Sequence, residues 1–181
     1  MRRPFLLLLA LAFTALSLSA AQIPRRAPEF VIQGNGGQQL LLSQYRGKVV
    51  LLKLFYTTCP HCQRSAGVLS RIQNEYGPKG LQVLGSAFDE FAPMMAGQFV
   101  QRYRTTYPVG YQTRDRTLAF LDHSPSQPFY VPIFVFIDKQ GMIRAQHMGS
   151  EPFFRNEEAN TRALIEKLLA EPAKPPARPK P

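Results

Sequence analysis

The sequence predicts one α/β domain in which helices flank a mixed central sheet. Strand-like apolar runs alternate with helical patterns through the middle of the chain, and a strand–turn–strand pattern follows them. Alternation of this kind is typical of layered α/β domains. The chain has 181 residues, enough for a single domain with its own core. We place this domain at 28–170, between a polar lead at 22–27 and a Pro-, Lys- and Arg-rich tail at 171–181 that we expect to be disordered.

Turn residues and apolar runs define the elements of the first half of the chain. The cluster Gly34-Asn35-Gly36-Gly37 between two short strand-like segments indicates an N-terminal β-hairpin extension. A nearly continuous apolar run over 49–56 is typical of a central strand that is buried on both faces. Apolar residues at helical spacing follow it until Gly77-Pro78. We therefore predict extended segments at 27–32 and 39–42, a strand at 49–56 and a helix at 60–76.

The second half repeats the alternation and ends in a hairpin and a helix. The turn Asp138-Lys139-Gln140-Gly141 indicates that the strands on its two sides are antiparallel. An amphipathic pattern near the end of the chain predicts a closing helix. The predicted elements are strands at 81–88, 109–111, 133–137 and 142–147, helices at 93–103 and 157–170, and one or two helical turns at 117–121.

The first 21 residues have the pattern of a secretory signal peptide. Two arginines precede an apolar run over 5–18, and small residues follow at 19–21. The apolar run is short for a transmembrane helix, so we expect cleavage before Gln22, with a retained membrane anchor as the alternative. The predicted location is the periplasm or another extracytoplasmic space, where disulfides persist.

The chain is strongly basic, with a formal net charge of +10. Basic proteins often bind nucleic acid, but no basic run here is interleaved with aromatic residues. Export also argues against a nucleic-acid partner. We therefore expect a solvated basic surface on a monomer.

Cys59 and Cys62, the only cysteines of the chain, lie where the predicted central strand meets the following helix. The unpaired N–H groups and the dipole at a helix N-terminus favour a thiolate, which is the form that attacks disulfides. Pro60 suits the first helical turn because no N–H is needed there. His61 adds a donor, or a positive charge, beside the thiolate. We predict a redox-active disulfide with no other cofactor and no metal, since a zinc site normally takes four ligands.

Five short motifs occur in an order and spacing that resemble the thioredoxin-like redoxins of the TlpA/ResA type. Proteins of that type are exported bacterial thiol-disulfide oxidoreductases. The resemblance extends from about residue 27 to residue 170. The motifs are Ala27-Pro28-x-Phe30, 46–52 (Arg-Gly-Lys-Val-Val-Leu-Leu), 59–62 (Cys-Pro-His-Cys), Val131-Pro132 and 136–141 (Phe-Ile-Asp-x-x-Gly).

The resemblance implies a thioredoxin-like three-layer sandwich and assigns roles to the motif residues. Cys59 would be the attacking nucleophile and Cys62 the resolving thiol. The Val131–Pro132 bond would be cis, and the backbone of Val131 would pair with the substrate chain. Substrates would be protein thiols or disulfides, with a membrane or periplasmic redox partner. The direction of electron flow stays open, because it depends on the potential of the couple relative to its partners.

Lys53 departs from the pattern that the resemblance implies. It precedes Cys59 by six residues, where thioredoxins carry a buried acid, and it shares a strand face with Leu51 and Phe55. One interpretation is a lysine that reaches solvent or pairs with a carboxylate. The other places it under the active site, where it would tune the thiols or accept a proton from Cys62. We expect partial burial with the charge retained.

Two alternative functions remain at this point. A copper chaperone resembling the Sco proteins would use Cys59, Cys62 and His123, which suit copper, although those proteins separate the two cysteines by three residues and not two. A non-catalytic binding domain would keep the fold only, which the intact cysteine pair and Pro132 argue against. His147 is predicted to be a surface residue of the last strand.

Overall fold

A computed structural model describes residues 22–172 and contains one eight-stranded mixed sheet. The strand order across the sheet is β1-β8-β7-β4-β5-β6-β2-β3. The strands are β1 (Arg25–Arg26), β2 (Val31–Gln33), β3 (Gln39–Leu41), β4 (Val49–Phe55), β5 (Leu81–Ala87), β6 (Val109–Tyr111), β7 (Ile133–Ile137) and β8 (Met142–Met148).

Within residues 22–172, four α-helices cover the two faces of this sheet, which confirms the predicted α/β sandwich. They are α1 (Pro60–Tyr76), α2 (Ala92–Tyr103), α3 (Arg114–Leu121) and α4 (Glu157–Ala170). The third helix begins earlier than the pattern predicts, because the hydroxyl of Thr113 accepts a hydrogen bond from the N–H of Arg116 at 3.4 Å and caps it.

β4 is the central strand and positions the cysteine motif. It pairs in parallel with β5 and antiparallel with β7, and all seven of its residues are buried. Alternate side chains enter two cores: Leu52 and Leu54 pack with α3 and the N-terminal hairpin, whereas Leu51 packs with α1 and α4. Burial on both faces explains why the run is almost continuously apolar.

The segment predicted as a polar lead contributes to the sheet. Arg25 and Arg26 form β1 and pair antiparallel with Ile143 and Met142 of β8. The guanidinium of Arg25 also donates to the carbonyl of Phe120 at 2.7 Å. Backbone pairing, which does not depend on side-chain polarity, therefore extends the ordered domain upstream of residue 28.

The beginning of the predicted tail is also held by the domain. Arg144 forms a two-pronged ion pair with the carboxylate of Glu171, at 2.6 and 3.1 Å. Lys139 donates to the carbonyl oxygens of Leu169 and Glu171 at 2.7 and 2.8 Å. The rest of the tail, and the predicted signal peptide, lie outside the described residues. Within 22–172, no helix is long and apolar enough to cross a membrane.

Gly110 of β6 allows β2 of the N-terminal hairpin to pack closely against the sheet. A Cβ atom at this position would overlap the carbonyl oxygen of Gln33 in β2. Gly110→Ala should therefore lower the free energy of unfolding by about 1–3 kcal/mol, the usual range for overpacking. Urea denaturation followed by circular dichroism measures the change.

Gly67, in the middle of α1, is the matched control for this substitution. A Cβ there meets no atom within 4 Å, and the residue is helical. Gly67→Ala should raise stability by about 0.5–1 kcal/mol, because alanine loses less backbone entropy than glycine. Equal effects of the two substitutions would contradict the close approach of β2 to β6.

Candidate functional site

Cys59 is the N-cap of α1 and lies at the carboxyl end of β4. Its sulfur accepts a hydrogen bond from the backbone N–H of Cys62 at 3.3 Å, and Pro60 occupies the first helical turn. Both cysteines are free thiols. Cys59 is half-buried, whereas Cys62 is fully buried. An incoming substrate can therefore contact Cys59 while Cys62 stays beneath it.

The segment before β7 lies next to Cys59, because β7 is the antiparallel neighbour of β4 in the sheet. The Val131–Pro132 peptide bond is cis, and the carbonyl oxygen of Val131 lies 3.9 Å from the sulfur of Cys59. The N–H of Gly149 donates to the carbonyl of Tyr130 at 2.8 Å and fixes this segment against the end of β8. A Cβ at Gly149 would lie 2.6 Å from the carbonyl oxygen of Val131, so glycine permits the approach.

Lys53 is completely buried, so the expectation of partial burial is wrong. Its ammonium nitrogen donates to the carbonyl oxygen of Cys62 at 2.6 Å. It also lies 4.7 Å from the ring centroid of Phe55 and 5.3 Å from that of Phe99. Within 22–172, no carboxylate forms a salt bridge with it. The side chain therefore neither reaches solvent nor pairs with an acid. Its hydrogen-bond partner is the backbone carbonyl of Cys62, within the cysteine motif.

Burial has opposite effects on the protonation of these two neighbours. It lowers the pKa of Lys53 to about 8, against smaller opposing effects of Cys62, Glu157 and Cys59. It raises the pKa of Cys62, and the nearby Lys53 only partly offsets this. Burial therefore disfavours both the ammonium of Lys53 and the thiolate of Cys62, and favours the neutral form of each group in this pocket.

His61 turns away from the cysteines toward α4. Its Nε2 lies 3.1 Å from a carboxylate oxygen of Glu157, and its ring meets Phe154 edge-on at 5.3 Å between centroids. The hydroxyl of Ser65 donates to the same carboxylate oxygen at 2.8 Å. The motif histidine thus joins α1 to the start of α4 through one acid.

Glu157 and Asp89 are site residues that the sequence analysis did not identify. The two oxygens of Asp89 accept hydrogen bonds from the N–H (2.6 Å) and the hydroxyl (3.0 Å) of Thr57, and so brace the turn before Cys59. In the sequence, Asp89 only follows a strand and Glu157 only begins a helix. Their contacts join elements far apart in the chain, and no local pattern indicates them.

The other two histidines do not belong to this site. His123 lies 3.3 Å from the carbonyl of Gln127 in the loop before β7. His147 pairs with Glu151 at 2.8 Å and stacks on Phe153. In the part of the chain that the structure describes, no three His, Cys, Asp or Glu side chains are grouped so that they could hold a metal ion. His123 is therefore not assembled with the cysteines as the copper alternative requires.

Two open clefts flank Thr58, the residue before Cys59. One, of about 790 Å³, lies between α1 and α2 and is lined by Phe99 and Tyr103. The other, of about 550 Å³, lies on the α3 side and is lined by Phe88 and Phe91. Cys59 therefore follows a residue, Thr58, that lines two clefts with room for a polypeptide.

The fold is that of the thioredoxin-like class of proteins. More specifically, residues 23–146 match the AhpC/TSA family, and the chain belongs to that family.

Relatives of this chain carry names that refer to thiol–disulfide chemistry. The thiol-disulfide oxidoreductase ResA of Geobacillus kaustophilus is 27% identical over 126 residues, covering 70% of this chain and 69% of the relative. ResA of Geobacillus thermodenitrificans is 27% identical over 144 residues, covering 77% and 79%. A crystal structure of a thiol:disulfide interchange protein DsbE from Chlorobium tepidum superposes with a TM-score of 0.65 at 24% identity, covering 78% of this chain and 96% of that one.

Burial of Lys53 predicts a specific pH dependence of stability. Its pKa is about 8 in the folded chain and 10.5 when exposed. Between these values the unfolded chain binds more protons, so stability rises with pH by about 3 kcal/mol in total. Lys53→Met removes this contribution. From pH 7 to pH 10.5 the free energy of unfolding of the parent should therefore rise by about this amount relative to that of the Met variant.

Urea denaturation across this pH range tests the prediction. Both proteins carry Cys59→Ser and Cys62→Ser, so that thiol titration does not contribute, and other groups cancel in the difference. A stability difference that is independent of pH would mean that Lys53 titrates like an exposed lysine.

Proposed function

We propose that the chain is a thiol-disulfide oxidoreductase that exchanges disulfides with protein substrates. The observation that carries this proposal is the asymmetric cysteine pair at the start of α1. Cys59 is accessible and accepts a backbone N–H, whereas Cys62 is fully buried and next to it. The relatives' names support the same chemistry.

Cys59 is the nucleophile in this proposal and Cys62 the resolving thiol. The Cys59 thiolate attacks one sulfur of a substrate disulfide, and the other substrate sulfur leaves as a thiolate. Cys62 then loses its proton and attacks the Cys59 sulfur. The substrate is released as a dithiol, and Cys59 and Cys62 become a disulfide. The reverse sequence oxidises a substrate, and the redox-active disulfide is the only cofactor required.

Val131 and Pro132 form the substrate-binding edge in this scheme. The carbonyl oxygen of Val131 already lies 3.9 Å from the attacking sulfur. A polypeptide in extended form beside it would place its own cysteine against Cys59. Backbone pairing of this kind requires little of the substrate sequence.

Lys53 is proposed to accept the proton of Cys62. The amine lies directly beneath the motif, 2.6 Å from the Cys62 carbonyl, and burial makes its neutral form accessible near pH 8. A neutral amine is a base, so Lys53 can take up the proton as the Cys62 sulfur forms its bond to the Cys59 sulfur.

We further propose that the protein acts outside the cytoplasm as a monomer, with a membrane or periplasmic redox partner. The signal-peptide pattern of residues 1–21 supports export. Thiol–disulfide equilibration with glutathione buffers gives the potential of the Cys59–Cys62 couple, and hence the direction in which electrons pass to or from that partner.

Reduction of insulin by the mature chain in the presence of dithiothreitol tests the proposed activity. We expect precipitation of the insulin B chain to be accelerated, because Cys59 carries electrons to the insulin disulfides. Cys59→Ser should reduce the rate to that of dithiothreitol alone. In the absence of dithiothreitol, Cys62→Ser should instead accumulate a mixed disulfide, detectable by mass spectrometry, because attack by the Cys59 thiolate on the insulin disulfide still occurs but resolution does not.

The two serine variants control for each other, because each removes one sulfur from the same helical turn. Activity that survives Cys59→Ser would exclude Cys59 as the nucleophile. A mixed disulfide that forms on Cys62 in the Cys59→Ser variant, and none on Cys59 in the other, would reverse the two roles.

A further inference from the structure

Glu157 is an ionisable group at the site that the scheme above does not use. It is the first residue of α4, and its side chain is only 12% exposed. One carboxylate oxygen contacts both His61, at 3.1 Å, and Ser65, at 2.8 Å. Two side chains of α1, the helix that carries the cysteines, therefore hold the carboxylate of Glu157 in place.

The second carboxylate oxygen of Glu157 is buried and has no hydrogen-bond partner among residues 22–172. A buried polar atom without a partner costs free energy, so its presence at a reactive site indicates a role beyond stability. The charge of Glu157 raises the pKa of Lys53 and that of Tyr107, whose hydroxyl is also buried and unpartnered.

The ionisable groups around Lys53 come from three parts of the fold. Cys59 and Cys62 at the start of α1, and Glu157 at the start of α4, raise the pKa of Lys53. Tyr107, in the segment before β6, interacts with Glu157 and Cys62. Phe55 and Phe99 complete the surroundings of the amine without charge. Of these groups, Glu157 is the one in direct contact with His61, whose side chain is 29% exposed.

We propose that Glu157 is a positioning residue for the resolving half of disulfide exchange. Its carboxylate stabilises the protonated form of Lys53, and its contact with His61 provides a route by which the proton reaches solvent. The inference rests on the proposed function and extends it. It assigns a reaction role to a carboxylate from the C-terminal helix.

Glu157 assists the step in which Cys62 gives up its proton and forms the disulfide with Cys59. In the mixed disulfide on Cys59, the proton of the Cys62 thiol passes to the neutral amine of Lys53. The electron pair left on the Cys62 sulfur forms the bond to the Cys59 sulfur, and the bond from Cys59 to the substrate breaks, with its electron pair leaving on the substrate thiolate. The Glu157 carboxylate stabilises the new ammonium, which later releases its proton past His61.

The reagent 5,5′-dithiobis(2-nitrobenzoate) separates the two halves of the reaction. Attack by Cys59 releases a first coloured thionitrobenzoate, and attack by Cys62 on the resulting mixed disulfide releases a second. Stopped-flow absorbance of the reduced mature chain between pH 6 and pH 10 therefore yields one rate for each cysteine. Only the second rate reports the proton loss of Cys62.

Glu157→Gln should change the pH profile of the second phase. Without the carboxylate, the pKa of Lys53 falls, so the midpoint of the profile should move about one pH unit lower. The amine is also a weaker base, so the plateau rate should fall about three- to tenfold. Glu157→Asp retains the charge and should restore most of the midpoint, which separates charge from packing.

Glu158→Gln is the matched control, because Glu158 is the next residue but pairs with Arg71, at 2.6 Å, and Arg162 on the surface. It should reproduce the wild-type profile. A Glu157→Gln profile that also matches wild type would overturn the proposal, as would a Glu157→Asp profile that matches that of Glu157→Gln. Absence of a second phase in the wild-type chain would instead refute the proposed function, and thermal unfolding of each variant excludes misfolding.

Discussion

The hydrogen bond from the Lys53 amine to the Cys62 carbonyl is the interaction on which the rest of the site depends. It places a polar group in the middle of a strand that is otherwise apolar and buried on both faces. A buried amine needs a partner, and here the partner is the backbone of the redox motif itself. This one contact therefore joins the middle of β4 directly to the cysteine motif at the start of α1.

The layered architecture determines how this contact can operate. Lys53 lies on the face of β4 that packs against α1, α2 and α4, and each of these helices contributes one neighbour: Cys62, Phe99 and Glu157. The rings of Phe55 and Phe99 lie against the amine, while the charge of Glu157 raises the pKa of Lys53 from a separate helix. Different elements of the fold therefore contribute to the burial and to the proton affinity of Lys53.

Local sequence patterns were sufficient for most of the fold and for the cysteine motif, whereas tertiary contacts decided the rest. The bounds of α1 and α4 follow from apolar spacing and from the Gly77-Pro78 stop, which are properties of neighbouring residues. The depth of Lys53 was wrongly predicted, because alternation assigns a face and not the thickness of the layer above it. Glu157 was missed because its contact with His61 spans 96 residues.

The ion pair of Arg144 with Glu171 and the cysteine motif lie at opposite ends of the domain. The ion pair lies beside the turn that joins β7 to β8, whereas Val131 and Cys59 lie at the opposite end of β7. Glu171 therefore lies at the end of the domain remote from the Cys59 sulfur. Attachment to a resin or an electrode at that end would leave Cys59 facing outward, whereas attachment near Tyr130 would block it.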